Sequence, residues 1–202
     1  DIKAGAIAQK LDINMSDLTV NMLMTSFDNL ISIQDSVLSN ARVEFYEHPV
    51  VHTVWAAAWY QFDQSQFSAD TVYSKFETRL NEIEQIYESL LTKYPENAEY
   101  LLYLGTAQSL RARIYLGQKR FVSTFYAAYQ GFRTIQRANK GSQGVKDIYL
   151  PIGVIEWYSG LSNPVVQIAA QTLGVDPSRT NGIKKMEIAA NESSWAWMEA
   201  MS

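Results

Sequence analysis

Cysteine is absent from this 202-residue chain, which rules out disulfide frameworks, thiolate metal sites and cysteine nucleophiles in any compartment. Glycine and proline are scarce, ten and five residues, too few for the turn every ten residues or so that a sandwich or barrel needs. No run of about eighteen apolar residues occurs, so no segment reads as a membrane span, and no basic-then-apolar leader opens the sequence. The chain starts at Asp1 rather than Met and is expected to be part of a longer protein.

What is present suits a single folded helical domain. Hydrophobic residues make up 47% and charged residues 19%, as in soluble globular proteins. The net charge of −4 is unevenly spread: residues 1–97 carry six basic and fourteen acidic side chains, and residues 98–202 carry eleven and seven. Between Gln108 and Lys146 stand eight basic residues and no acidic one, a local positive potential that attracts anionic partners.

Apolar residues recur at helical spacing throughout. Phe76, Leu80, Ile83, Tyr87, Leu90 and Tyr94 mark a helix from about Asp70, its expected cap, to Pro95. A second is expected from Asn97 to Leu116, and a third from Gln118 to Ala138 with Phe121, Phe125, Ala128, Phe132 and Ile135 facing the core. Gly117 and Gly141 are the expected breaks. Upstream, Ser16 or Asp17 would cap a helix carrying Val20, Leu23, Phe27, Leu30 and Leu38, paired with a helix that Pro49 starts. Downstream, Asp147 precedes a short apolar helix, Asn163-Pro164 and Asp176-Pro177 open two more, and Trp195 and Trp197 begin a further segment. With no strand pattern competing, the chain is all-α with eight or nine helices.

The run Tyr94-Pro95-Glu96-Asn97-Ala98-Glu99-Tyr100-Leu101-Leu102-Tyr103-Leu104-Gly105 resembles the junction between two tetratricopeptide (TPR) repeats. Gly105 would let the next helix approach closely, and Ala128 and Phe132 fit the Ala-x-x-x-Phe element of a second repeat helix. Leu101 replaces the usual Trp, Gln108 the usual Tyr, and the gap from Gly105 to Ala128 is about twice the usual length, so the helices are longer than in a standard repeat. Asp147 to Gly153, Tyr158 to Pro164 and Leu173 to Ile183 extend the similarity to a family of bacterial, usually exported, TPR-like proteins, and more distantly to a eukaryotic mitochondrial and lipid-droplet family. In that pattern Ser178 replaces an acidic residue and Ile183 a Leu. The resemblance covers roughly residues 70–200 and implies a helical scaffold in the cell envelope: antiparallel helix pairs stacked as an α-α superhelix, with no activity attached.

Several groups were candidates for chemistry. His48 and His52 share a helical face with Glu44 and Glu47 nearby, but Pro49 follows His48 where a zincin needs glutamate, so His48 reads as a cap. Glu156 lies in an apolar segment and is expected to pair with an arginine of the preceding helices, such as Arg111 or Arg113, or to face solvent. No phosphate loop or ordered hydrolase set occurs. Lys119, Gln130, Arg133 and Arg137 fall near one stripe, opposite the aromatic face, with Tyr126 and Tyr129 beside them; Trp55, Trp59, Tyr60 and Phe62 form an aromatic cluster. The sequence expectation is therefore a non-enzymatic scaffold without cofactor or metal, binding an acidic protein or peptide through Lys119, Tyr126, Tyr129, Arg133, Arg137, Trp55 and Trp59. A small-ligand-binding or accessory component of an envelope uptake system is the alternative. Nucleic acid is not an expected partner at a pI near 5.2, and self-association into a homo-oligomer stays open.

Overall fold

The computed structural model describes residues 37–141, 145–196 and 200. Among them are eight α-helices, one short 3-10 helix at Lys146–Ile148 and no strand. The helices are α1 (Ser39–Glu44), α2 (Pro49–Gln66), α3 (Ala69–Lys93), α4 (Ala98–Gly117), α5 (Phe121–Gly141), α6 (Tyr149–Leu161), α7 (Pro164–Thr172) and α8 (Arg179–Glu192). The expected helix around Val20 to Leu30, and Trp197, lie outside the described residues.

Neighbouring helices run antiparallel, as cross-contacts with opposite numbering show. On α2 and α3, Thr53 meets Tyr87 while Tyr60 stacks on Phe76 and Asp63 pairs with Arg79 and Lys75. On α3 and α4, Tyr115 donates to Glu77 at 2.8 Å and Arg111 meets Glu84 at 2.7 Å. On α6 and α8, Gly153 lies against Met186 and Gly160 against Arg179. Between α4 and α5 the approach is closest: a Cβ on Gly105 would come 2.8 Å from the Gly131 carbonyl oxygen. The small residues at both positions let the two backbones touch, which no larger side chain permits.

The main core lies among α2, α3 and α4, where the expected stripe of Phe76, Leu80, Ile83, Tyr87 and Leu90 is buried together with Leu38, Trp55, Leu104 and Ile114. Each fully buried side chain contributes about 1.5–3 kcal/mol. Tyr87 is wholly enclosed, and its hydroxyl donates to the Pro49 carbonyl at 2.7 Å, which removes the cost of burying it. A second cluster joins Leu101, Leu102, Ile135, Ala138, Ile148 and Ile152, and a third joins Phe132 to Ala170, Val175 and Ile155.

The helix ends refine the sequence expectations. His48 caps α2 through Nδ1 and Asn163 caps α7, as expected, and Asn97, at the expected start of α4, caps that helix. Asp70 does not cap α3; it stands in the first turn, after Ser68 at the N-cap. Ser178, not Asp176-Pro177, caps α8, accepting from the Asn181 amide, while Asp176 accepts from the Asn181 side chain. Asp147 lies in the 3-10 turn just before α6, and its carboxylate accepts the amides of Ser194, Trp195 and Ala196 and so pins the distant C-terminal turn. Gly117 is the last residue of α4 rather than its break. The break is a Schellman turn in which Arg120 N–H donates to the Tyr115 carbonyl and Lys119 N–H to that of Leu116, with Lys119 in the left-handed region at φ 60°.

Candidate functional site

Helix α5 touches α4 through Gly131, Ile135 and Thr134, whose hydroxyl donates to Gln108 at 2.8 Å. At 100° per residue, Val122, Phe125, Tyr126, Tyr129 and Arg133 fall on the opposite side, within an arc of about 100°. Their spacing of i, i+3, i+4, i+7 and i+11 is that of a helix face packed on another helix, yet among the described residues no element covers them: Val122 is 86% exposed, Phe125 63%, Tyr126 61% and Tyr129 37%. Phe121, expected in the core, is exposed as well.

The cause lies in the elements that follow. Helix α6 runs back along α5, with Ile152 against Ile135 and Ile155 beside Phe132. Past that point contact ends, and Tyr158 and Leu161 of α6 and Val165 and Ile168 of α7 are exposed. Only the C-terminal half of α5 is therefore enclosed. Ile135 is buried on the α4 side and Phe132 beside α6 and α7, so the expected core stripe is correct in that half and wrong at Phe121, Phe125 and Ala128.

Each predicted site residue has a definite place. Lys119 is exposed in the turn before α5, outside the helix, because the Schellman turn delays the helix start to Phe121. Tyr126, Tyr129 and Arg133 do share one exposed face, not opposite an aromatic one but continuous with Phe125. The Gln130 side chain donates to the Tyr126 hydroxyl at 3.0 Å and steadies that ring. Arg137 pairs with Glu96 at 2.5 Å, whereas Arg133 has no ion pair among the described residues. Trp55 and Trp59 belong to α2 and are not brought to this face. Trp55 is buried under the Arg42 guanidinium, 3.7 Å from the ring centroid, and Trp59 packs edge-on against Phe62 with Arg79 above it.

The other titratable candidates are tied into the framework. His52 is fully buried; Nε2 donates to the Tyr46 carbonyl at 2.8 Å and Nδ1 accepts from Arg42 Nε, so burial, reinforced by that arginine, holds its pKa below the usual value. Arg42 also pairs with Glu82 at 2.5 Å beside an open depression of about 540 Å³. Among the described residues no group of three or more His, Cys, Asp and Glu side chains is placed to hold a metal. Glu156 pairs with Lys185 of α8, not with Arg111 or Arg113, because α6 turns its buried side toward α8. A further carboxylate, Glu84, is buried between α3 and α4, which pushes its pKa up to about 7 despite Arg111. Glu84 stands next to Ile83 in the apolar stripe, a neighbourhood that signals partial burial.

The chain matches no known family, no curated protein and no solved structure.

Proposed function

We propose that this chain is a non-enzymatic scaffold that holds a protein or peptide partner in the cell envelope on the outward face of α5. One observation carries the reading: a helix-packing pattern, Val122, Phe125, Tyr126 and Tyr129, left uncovered among the described residues on a helix whose other side packs on α4. The antiparallel succession α2–α3, α4–α5 and α6–α8 supports a TPR-like superhelix with elongated helices, an architecture that presents such surfaces. The non-enzymatic part is supported by the engagement of His48, His52, Asp63, Asp147 and Glu156 in caps, hydrogen bonds and ion pairs of the framework. No helix among the described residues is long and apolar enough to cross a membrane.

The test is affinity retention from the envelope fraction of the source organism by the wild-type chain and by Phe125→Ser side by side. A protein held by the wild type and lost by the variant is the expected result. Equal retention by both would remove α5 from the reading.

A further inference from the structure

Resting on that reading, we propose that the occupant of the α5 face is an acidic amphipathic helix, docked by its apolar stripe on Val122, Phe125, Tyr126 and Tyr129 and by an acidic side chain on Arg133. Three observations select this partner over others. The first is shape: the uncovered stripe from Val122 to Arg133 is one helix wide and about 16 Å long at 1.5 Å per residue, the footprint of three helical turns, and its spacing interlocks with an apolar helical stripe.

The second is charge. Lys119 stands exposed before the stripe, Arg133 closes it and Lys140 follows about two turns beyond on the same face, and none of the three has an ion pair among the described residues. Arg137, the remaining cation of α5, is neutralised by Glu96. No acidic side chain occurs from Gln108 to Lys146, so the flanks of the stripe attract acidic residues and repel basic ones. The third observation weighs against a second copy of the chain on the same face: a two-fold antiparallel pairing of α5 with itself brings the Arg133 end of one helix to the Lys119 end of the other, cation against cation.

The experiment uses the full chain and three labelled synthetic peptides of about 18 residues. One is a helix with leucines at i, i+4, i+7 and i+11 and glutamates on its flanks. The second carries lysine for every glutamate, and the third scrambles the acidic peptide so that no apolar stripe forms. Fluorescence anisotropy is read at low and at physiological salt, with co-sedimentation on phosphatidylglycerol vesicles in parallel. The acidic amphipathic peptide should bind at least tenfold tighter than either control, and more weakly as salt rises. Phe125→Ser should weaken it about tenfold or more and Arg133→Gln about fivefold, while Arg137→Gln changes it less than twofold, because Glu96 already holds that charge. All three positions are exposed, and an unchanged urea midpoint verifies folding.

Equal binding of the lysine peptide, equal binding of the scrambled peptide, no binding of any peptide, or retention on vesicles in place of peptide would each overturn the acidic helix. If the envelope partner is still lost with Phe125→Ser in any of these cases, only the nature of the partner falls. If retention is also indifferent to Phe125, the scaffold reading falls with it.

Discussion

Helices α3 and α5 carry apolar stripes of similar regularity, but α3 buries Phe76, Leu80, Ile83 and Tyr87 whereas α5 leaves Val122, Phe125 and Tyr126 in solvent. The difference lies in what flanks them. Helix α3 is enclosed by α2 and α4 along its length, while α5 has α4 on one side and, among the described residues, only the short α6 and α7 elements against its C-terminal half. Periodicity marks a face that packs; whether the packing partner belongs to the same chain is decided by the neighbours.

The largest expected contrast comes from truncating one residue on each helix. Leu80→Ala should lower the unfolding free energy by about 2–5 kcal/mol through lost burial and a residual cavity. Phe125→Ala should change it by less than about 0.5 kcal/mol, because its side chain is exposed. Urea titrations of the two variants check this, and a large loss at Phe125 would place α5's outer face in the core.

Next comes the ion pair that fastens α2 to α3. Asp63 is fully buried between Arg79 and Lys75, and Arg79→Met leaves it with only the more distant Lys75 at 3.4 Å. A loss of about 3 kcal/mol is expected at pH 7, since an uncompensated buried carboxylate is strongly unfavourable. Arg133→Met on α5 is the matched control and should cost almost nothing, by the same titration.

The core side should also respond to pH. Glu84 has its folded pKa raised to about 7, so the folded chain binds more protons than the unfolded one above the ordinary carboxylate range. Its contribution is full at low pH and is lost as pH rises through 7, by at most about 3 kcal/mol. His52 has its folded pKa lowered, so its contribution runs the other way: present above its ordinary value and lost as pH falls. Urea midpoints from pH 5 to 8 should therefore rise more steeply with pH in Glu84→Gln than in the wild type. An identical profile would mean that Glu84 is ionised throughout.

The smallest effect concerns the turn that sets where α5 begins. Lys119→Gly relieves a left-handed backbone at φ 60° and should stabilise by about 1 kcal/mol, read as a rise in thermal midpoint.

Much of this was readable from the residues. The α3 stripe, the His48, Asn97 and Asn163 caps, and the close approach at Gly105 all follow from local chemistry, because spacing, capping side chains and a missing Cβ act within a few residues. The exposure of Phe121 and Phe125 was not readable, since it depends on α6 and α7 stopping short, a matter of tertiary coverage. Gly117 misled because the left-handed position fell to Lys119, while Gly117 itself is needed where Tyr73 crowds α4. Glu156 misled for a related reason: its partner was sought on the preceding helices, whereas α8 lay nearer. On α5, Tyr126, Tyr129 and Arg133 share one exposed face, but Lys119 lies outside the helix, and Val122 and Phe125 join that face only once coverage is known.

The most direct measurement is urea unfolding of the wild type and of a Phe125→Ser, Tyr126→Ser double variant, each with and without the acidic amphipathic peptide. An uncovered docking face gives coincident midpoints without peptide, and a peptide-induced rise confined to the wild type, because only the folded wild type binds it. A midpoint already lowered in the double variant without peptide, or an equal rise in both proteins, would contradict the account.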